Sequence, residues 1–249
     1  MDRHIRFEAL HNFRDLGGYP TTDGHRVRAG RLYRADSLGK LSEGTADWTR
    51  FRALSIGTVI DLRYPWEIEN SGRIPDHPSF TYHNLSIEHR PYNQAALTPD
   101  VDPGAYLAER YREVAQDGTK EIRGALELVA KAAESDTPLA FHCASGKDRT
   151  GLLAALILGL LGVPERTIIE DFTLTELAAP ALLADWKARN EGRAAPTWPG
   201  FGRAPEAVMR LFLTELAGRY GSIEGYVSEA LSLDPRSLSE TLRAALLER

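Results

Sequence analysis

The stretch TPLAFHCASGKDRTGLLAALILGLLGV, residues 137–163, decides how this chain is read. Leu139, Ala140 and Phe141 form a short apolar run after Pro138, the pattern of a strand buried on both faces. From Leu152 onward apolar residues occupy every side of a helical wheel until Gly162 and Pro164 end the run, which predicts a buried helix. His142 to Thr150 is the loop between them. A loop entering a helix N-terminus turns successive backbone N–H groups into one concavity, and the positive end of the helix dipole adds to their field. The guest this geometry suits is a tetrahedral oxyanion.

The side chains in that loop specify a chemistry. Five residues separate Cys143 from Arg149. The field that binds an anion also favours a thiolate over a thiol, so Cys143 reads as a nucleophile able to attack phosphorus in line. Arg149 carries a planar fork that matches two phosphate oxygens and stabilises the charge of the transition state. The backbone of Ala144, Ser145, Gly146, Lys147, Asp148 and Arg149 would line the cradle, with Gly146 permitting the tight turn. The Thr150 hydroxyl is placed to donate to the sulfur as it leaves. His142 is expected to orient the loop by hydrogen bonding. No step of this chemistry calls for a metal or another cofactor, and His77, His83 and His89 have no convincing ligand spacing.

Working outward, RVRAGRLYRA, GTVIDLR and FTYHNLSI read as short strands in the first third of the chain. The second half turns helical, with Ile122, Leu126 and Val129 on one amphipathic face and Val208, Leu211 and Phe212 on another. Strands followed by helices over one core predict an α/β fold, a central, mainly parallel sheet flanked by helices, in a single domain over residues 1–249. The segment Asn190–Pro205, rich in Gly and Pro but containing Trp198 and Phe201, reads as a loop between helices, either a cover over the site or a fixed connector.

Composition narrows the class. With 249 residues, 43% hydrophobic and 26% charged, the chain is ordinary globular protein. A net charge of -5 gives no electrostatic case for nucleic-acid binding. No apolar segment has the length of a membrane span, and the N-terminal stretch lacks a secretory core, so the expected location is the cytoplasm, with export by a non-classical route left open. The single cysteine excludes an internal disulfide, which fits a reducing compartment.

HCASGKDRTG resembles the signature loop of the protein tyrosine phosphatase superfamily. The fuller resemblance is to a bacterial and fungal tyrosine phosphatase family with a GKDRTG loop and an N-terminal NFRDLGG segment, here Asn12 to Gly18, and to mycobacterial-type lidded tyrosine and dual-specificity phosphatases. GRLYRADSL from Gly30, TVIDLR from Thr58 and YGSIEGYV from Tyr220 are similar to that family too, so the likeness spans nearly the whole chain. It implies a phosphatase fold with an extra helical lid, expected at about residues 176–218, and phosphorylated protein or phosphoinositide substrates. Oligomeric state is not implied.

The leaving group needs a general acid, and two aspartates compete. If the strand of Asp61 lies parallel to that of Cys143, both residues, with Arg63 nearby, emerge at the same sheet edge. Asp148 lies inside the loop itself, where it could serve as the acid or hold the loop's shape. The resemblance favours the aspartate of DLR, so Asp61 is the first expectation and Asp148 the second. Lys147 matches a lysine that helps phosphoinositide phosphatases hold charged headgroups. Ala144 departs from their HCKAGKGRTG loop, and the alternative for Lys147 is a solvated side chain at the rim. Asn12, Arg14 and Asp15 are expected to brace the loop. Two other readings are sulfur transfer on a rhodanese-like fold, which the RTG ending disfavours, and a silent phosphate-binding module, which the presence of both Cys143 and Arg149 disfavours.

Overall fold

The structure, a computed structural model, describes residues 3–249. Its strands are β1 (Arg14–Asp15), β2 (Arg26–Val27), β3 (Leu32–Ala35), β4 (Thr58–Asp61), β5 (Thr81–Asn84), β6 (Leu139–His142) and β7 (Leu247–Glu248). Between and after them come α1 (Ala46–Ala53), α2 (Pro65–Ser71), α3 (Pro103–Asp117), α4 (Thr119–Glu134), α5 (Asp148–Leu160) and α6 (Glu165–Thr173). The chain continues through α7 (Ala179–Arg189), α8 (Glu206–Tyr220), α9 (Ile223–Glu229) and α10 (Pro235–Leu246).

Five strands form the central sheet in the order β1-β3-β6-β4-β5. β3, β6, β4 and β5 run parallel, and only the edge strand β1 is antiparallel to its neighbour. The expected α/β architecture with a mainly parallel sheet is therefore present. β6 is at the centre because Leu139, Ala140, Phe141 and His142 are all buried, and a short run covered on both faces needs neighbours on both sides.

The sheet separates two apolar layers. Ile60, Leu62, Phe141 and Cys143 face a large core that includes residues of α3, α4, α5 and α8. Val59, Ala140, Tyr33 and Ala35 face a smaller one with Phe13, Trp48, Phe51 and Ile74. Strand alternation sorts them, since successive side chains point to opposite faces. α5 is apolar all round and almost wholly buried, and it ends where Gly162 takes a φ of 81° ahead of Pro164.

α4 buries Ile122, Leu126 and Val129 as the spacing predicts. α8 corrects its expected face: Val208 and Phe212 are buried, but Leu211 is 38% exposed. Met209, Leu213 and Leu216 also point inward, which rotates the buried arc away from Leu211.

The region expected as a lid is not uniform. α8 is part of the main core, whereas α7 buries only Ala179 and Leu182. α7 is held at its polar side, where Asp185 accepts from Lys40 Nζ at 2.6 Å and lies 3.2 Å from His11 Nε2. The following loop is anchored by Trp198, which is buried, donates from Nε1 to the Val101 carbonyl at 2.9 Å and packs edge-on against Tyr106.

Candidate active site

The loop from Cys143 to Arg149 leaves β6 and enters α5, with its carbonyl groups turned outward and tied down. The Ala144 carbonyl accepts from the Ser37 backbone N–H at 3.1 Å. Asn12 Nδ2 donates to the carbonyls of Ser145 at 2.9 Å and Gly146 at 3.1 Å. Arg34 Nη2 donates to the Gly146 carbonyl at 2.8 Å. A peptide unit whose carbonyl is fixed outward has its N–H on the opposite side, so these bonds face the loop's amides toward its concavity. Gly146 has φ +67°, and a Cβ there would lie 2.5 Å from the Ala35 carbonyl oxygen, so the position requires glycine.

The brace has its own anchor, which the sequence did not disclose. Asp171 of α6 is buried and accepts from Arg14 Nε at 3.0 Å, Arg34 Nη1 at 2.5 Å and the Tyr19 hydroxyl at 2.9 Å. Burial would raise its pKa, but the two guanidinium charges outweigh burial and hold the carboxyl well below the usual range. Arg14 Nη1 also donates to Asn12 Oδ1 at 2.5 Å, so one buried carboxylate fixes both side chains that grip the loop. Asp15 ties the turn, accepting from the N–H groups of Gly17 and Gly30. The NFRDLGG segment thus reaches the loop from outside through Asn12, which Arg14 holds in place.

Cys143 is 1% exposed and sits at the base of the loop. His142 Nδ1 lies 3.2 Å from the Cys143 carbonyl, an acceptor, so that nitrogen carries the proton. Burial lowers the His142 pKa and keeps the ring neutral at pH 7. The Thr150 hydroxyl is buried and has no hydrogen-bond partner among the described residues.

Arg149 is gripped from outside the loop. Its Nη1 and Nη2 donate to Glu67 of α2 at 2.5 and 3.0 Å, and its Nε lies 3.5 Å from Glu88. Glu67 also accepts from the Tyr64 N–H at 2.9 Å, so the carboxylate that caps α2 also aims the guanidinium. Burial pushes the Glu88 pKa up to about 7, with Arg149 opposing the rise and Asp148 and Glu67 adding to it. Glu67 and Glu88 were missed from sequence; only the position of Glu67, three residues after a helix cap, signals its capping role.

The two candidate acids lie in different surroundings. β4 and β6 are parallel, so Asp61 emerges at the same edge as Cys143, as expected. It is in register with His142, however, and alternation places it on the opposite face from Cys143. There it is 0% exposed and accepts from Arg63 Nε at 2.9 Å, Arg63 Nη2 at 2.6 Å, the Arg63 N–H at 3.1 Å and the Tyr82 hydroxyl at 2.9 Å. Burial would raise the Asp61 pKa, but His142, charged at the acid pH where Asp61 titrates, and the Arg63 fork outweigh it and hold it at about 2. Arg63 spends its remaining donors on Ser71 and the Gly72 carbonyl, away from the loop.

Asp148 instead accepts from the Tyr111 hydroxyl at 3.0 Å and from Gln94 Nε2 at 3.4 Å. Lys147 is 1% exposed rather than solvated at a rim, with Nζ 3.4 Å from both Asp148 Oδ1 and Gln94 Oε1. Among the described residues, no group of three His, Cys, Asp or Glu side chains is arranged to hold a metal ion.

A buried cysteine beneath an anion cradle, an arginine in the first turn of the next helix and a parallel sheet presenting both define a phosphatase of the cysteine-dependent class. The tyrosine phosphatase family model matches residues 5–248, and the chain belongs to that family. It is 28% identical to the triple specificity protein phosphatase PtpB of Mycobacterium tuberculosis, over 88% of this chain and 91% of that protein. A tyrosine-protein phosphatase of Nostoc commune is 27% identical over 84% of this chain and 72% of its own length. Among solved structures, Pseudomonas aeruginosa TpbA aligns at 17% identity over 69% of this chain and 85% of its own, with a TM-score of 0.32. The enzyme is a protein-tyrosine phosphatase.

Proposed function

We propose that the enzyme hydrolyses phosphomonoesters through a phosphocysteine on Cys143, with Arg149 as the phosphate clamp and Asp148, not Asp61, as the general acid. The observation that carries this reading is the loop itself, whose carbonyls are fixed outward by Ser37, Asn12 and Arg34 while Cys143 lies at its base. In the first step the S–P bond forms as the bond to the leaving oxygen breaks, and Asp148 gives that oxygen a proton. In the second, Asp148 takes a proton from water as it attacks phosphorus, and Cys143 leaves as thiolate. Asp61, ionised and fully committed to Arg63 and Tyr82, has no proton to give.

The substrate read from this site is phosphotyrosine in proteins, with phosphoserine and phosphothreonine as further substrates, in line with the specificity in the name of its mycobacterial relative. Lys147 adds a second cation inside the site and supports phosphoinositides as well, though the neutral Ala144 places lipid turnover below that of phosphotyrosine. α7 and the loop to Pro205 form the cover over the site, while α8 belongs to the body of a single domain. No helix among the described residues is long and apolar enough to cross a membrane.

Turnover of 4-nitrophenyl phosphate is the direct test. Activity should vanish in Cys143→Ser and be indifferent to chelators. Chelator-sensitive activity that survives Cys143→Ser would sink the reading. A competition series of phosphotyrosine, phosphothreonine and phosphoinositide substrates ranks the specificity.

A further inference from the structure

Tyr111 of α3 is 2% exposed and held edge-on between Phe172 of α6, with ring centroids 6.2 Å apart, and Phe212 of α8, at 5.7 Å. Its hydroxyl donates to Asp148 Oδ1 at 3.0 Å. We infer that Tyr111 is a positioning residue for the general acid: by occupying Oδ1 as a donor, it leaves Oδ2 as the oxygen that carries the transferable proton. The inference rests on the assignment of Asp148 as the acid.

The two oxygens of Asp148 have unequal surroundings. Oδ1 receives the tyrosine hydroxyl and faces the Lys147 ammonium at 3.4 Å. Oδ2 has one long contact, the Gln94 amide at 3.4 Å, and that same nitrogen lies 3.1 Å from the Tyr92 hydroxyl. An oxygen already accepting a hydroxyl hydrogen bond beside a cation is the poorer site for a proton, so protonation falls on Oδ2. Burial keeps the Tyr111 phenol protonated well above its usual range, so it remains a donor throughout the working pH range. When Oδ2–H is passed to the leaving oxygen, the carboxylate left behind is stabilised at Oδ1 by the same hydroxyl, without any movement of α3. Edge-on packing against Phe172 and Phe212 fixes the ring.

The alternative is a core tyrosine that satisfies its hydroxyl on the nearest carboxylate. Leaving groups of different basicity separate the two, because only a poor leaving group needs the proton. Tyr111→Phe removes one oxygen and keeps the ring packing. It should lower kcat/KM, which reports the first step alone, about tenfold on phenyl phosphate, part of the 10²–10⁴ that general acids supply, and change kcat/KM on 2,4-dinitrophenyl phosphate less than about threefold. Vanadate affinity should be unchanged, which confirms that the phosphate loop is intact. Asp148→Asn should show the same pattern more strongly, and adding Tyr111→Phe to it should have no further leaving-group effect.

Equal losses of kcat/KM on both substrates in Asp148→Asn would overturn the acid assignment itself. A leaving-group-dependent loss in Asp148→Asn with none in Tyr111→Phe would overturn the role of Tyr111 alone. Weakened vanadate binding in Tyr111→Phe would also overturn it, by showing that the hydroxyl supports the loop rather than the proton.

Discussion

At the level of single residues, Asp171 carries a burden out of proportion to its distance from the chemistry. Removing it leaves Arg14 and Arg34 buried with no carboxylate, and breaking a buried pair on one side costs about 3–5 kcal/mol. Asp171→Ala should lose about that much stability in urea unfolding, and the part that still folds should bind vanadate more weakly because Asn12 and Arg34 no longer hold the loop. Gly146→Ala is the local counterpart: the strained φ and the contact with Ala35 predict a misplaced loop and about a hundredfold loss of kcat/KM, measured with 4-nitrophenyl phosphate. The strand–loop–helix setting of Cys143 and Arg149 was legible in sequence because all of its signals are local. Asp171 was not, because a carboxylate on the apolar face of α6 declares itself only when α6 meets β1 and β3. Asp61 shows a half-legible case. Its sheet edge followed from the strand pattern, but the face depends on register, and one residue of register exchanges the two faces.

Among the elements, α7 and the loop after it differ from the rest in how they are held. Ala179 and Leu182 bury little, so the segment depends on Asp185 at one end and Trp198 at the other. Trp198→Ala should free the loop: cleavage by a non-specific protease within residues 190–205 is expected to accelerate strongly, while the melting temperature of the sheet and α5 changes much less. If cleavage is no faster, Trp198 is not the anchor. The sequence marked this segment by its Gly and Pro content and its stray aromatics. It did not show that α8 belongs to the core, because the apolar arc of α8 is wide, and the spacing of Val208, Leu211 and Phe212 catches only its margin.

For the whole molecule, buried carboxylates set the response of stability to pH. The folded pKa of Asp61, about 2, lies below its unfolded value, so its contribution is present above about pH 4 and is lost as pH falls toward 2. Glu88 has the opposite sign. Its folded pKa of about 7 exceeds the unfolded value, so the folded state loses stability as pH rises from about 4.5 to 7. The Glu88 contribution alone should fall by about 2–3 kcal/mol toward neutrality, against a rise from His142, whose lowered pKa adds stability as pH climbs to 6.5. Chemical denaturation at a series of pH values should therefore find Glu88→Gln gaining on the wild type between about pH 4.5 and 7. The α/β class was readable from the order of strands and helices, whereas this pH response arises from charges brought together by the fold. One further property belongs to the molecule as a whole. Because the chain has a single sulfhydryl and it is the proposed nucleophile, a thiol-selective reagent should become a counter of competent molecules: the equivalents consumed, and protected by vanadate, would measure the active fraction of any preparation.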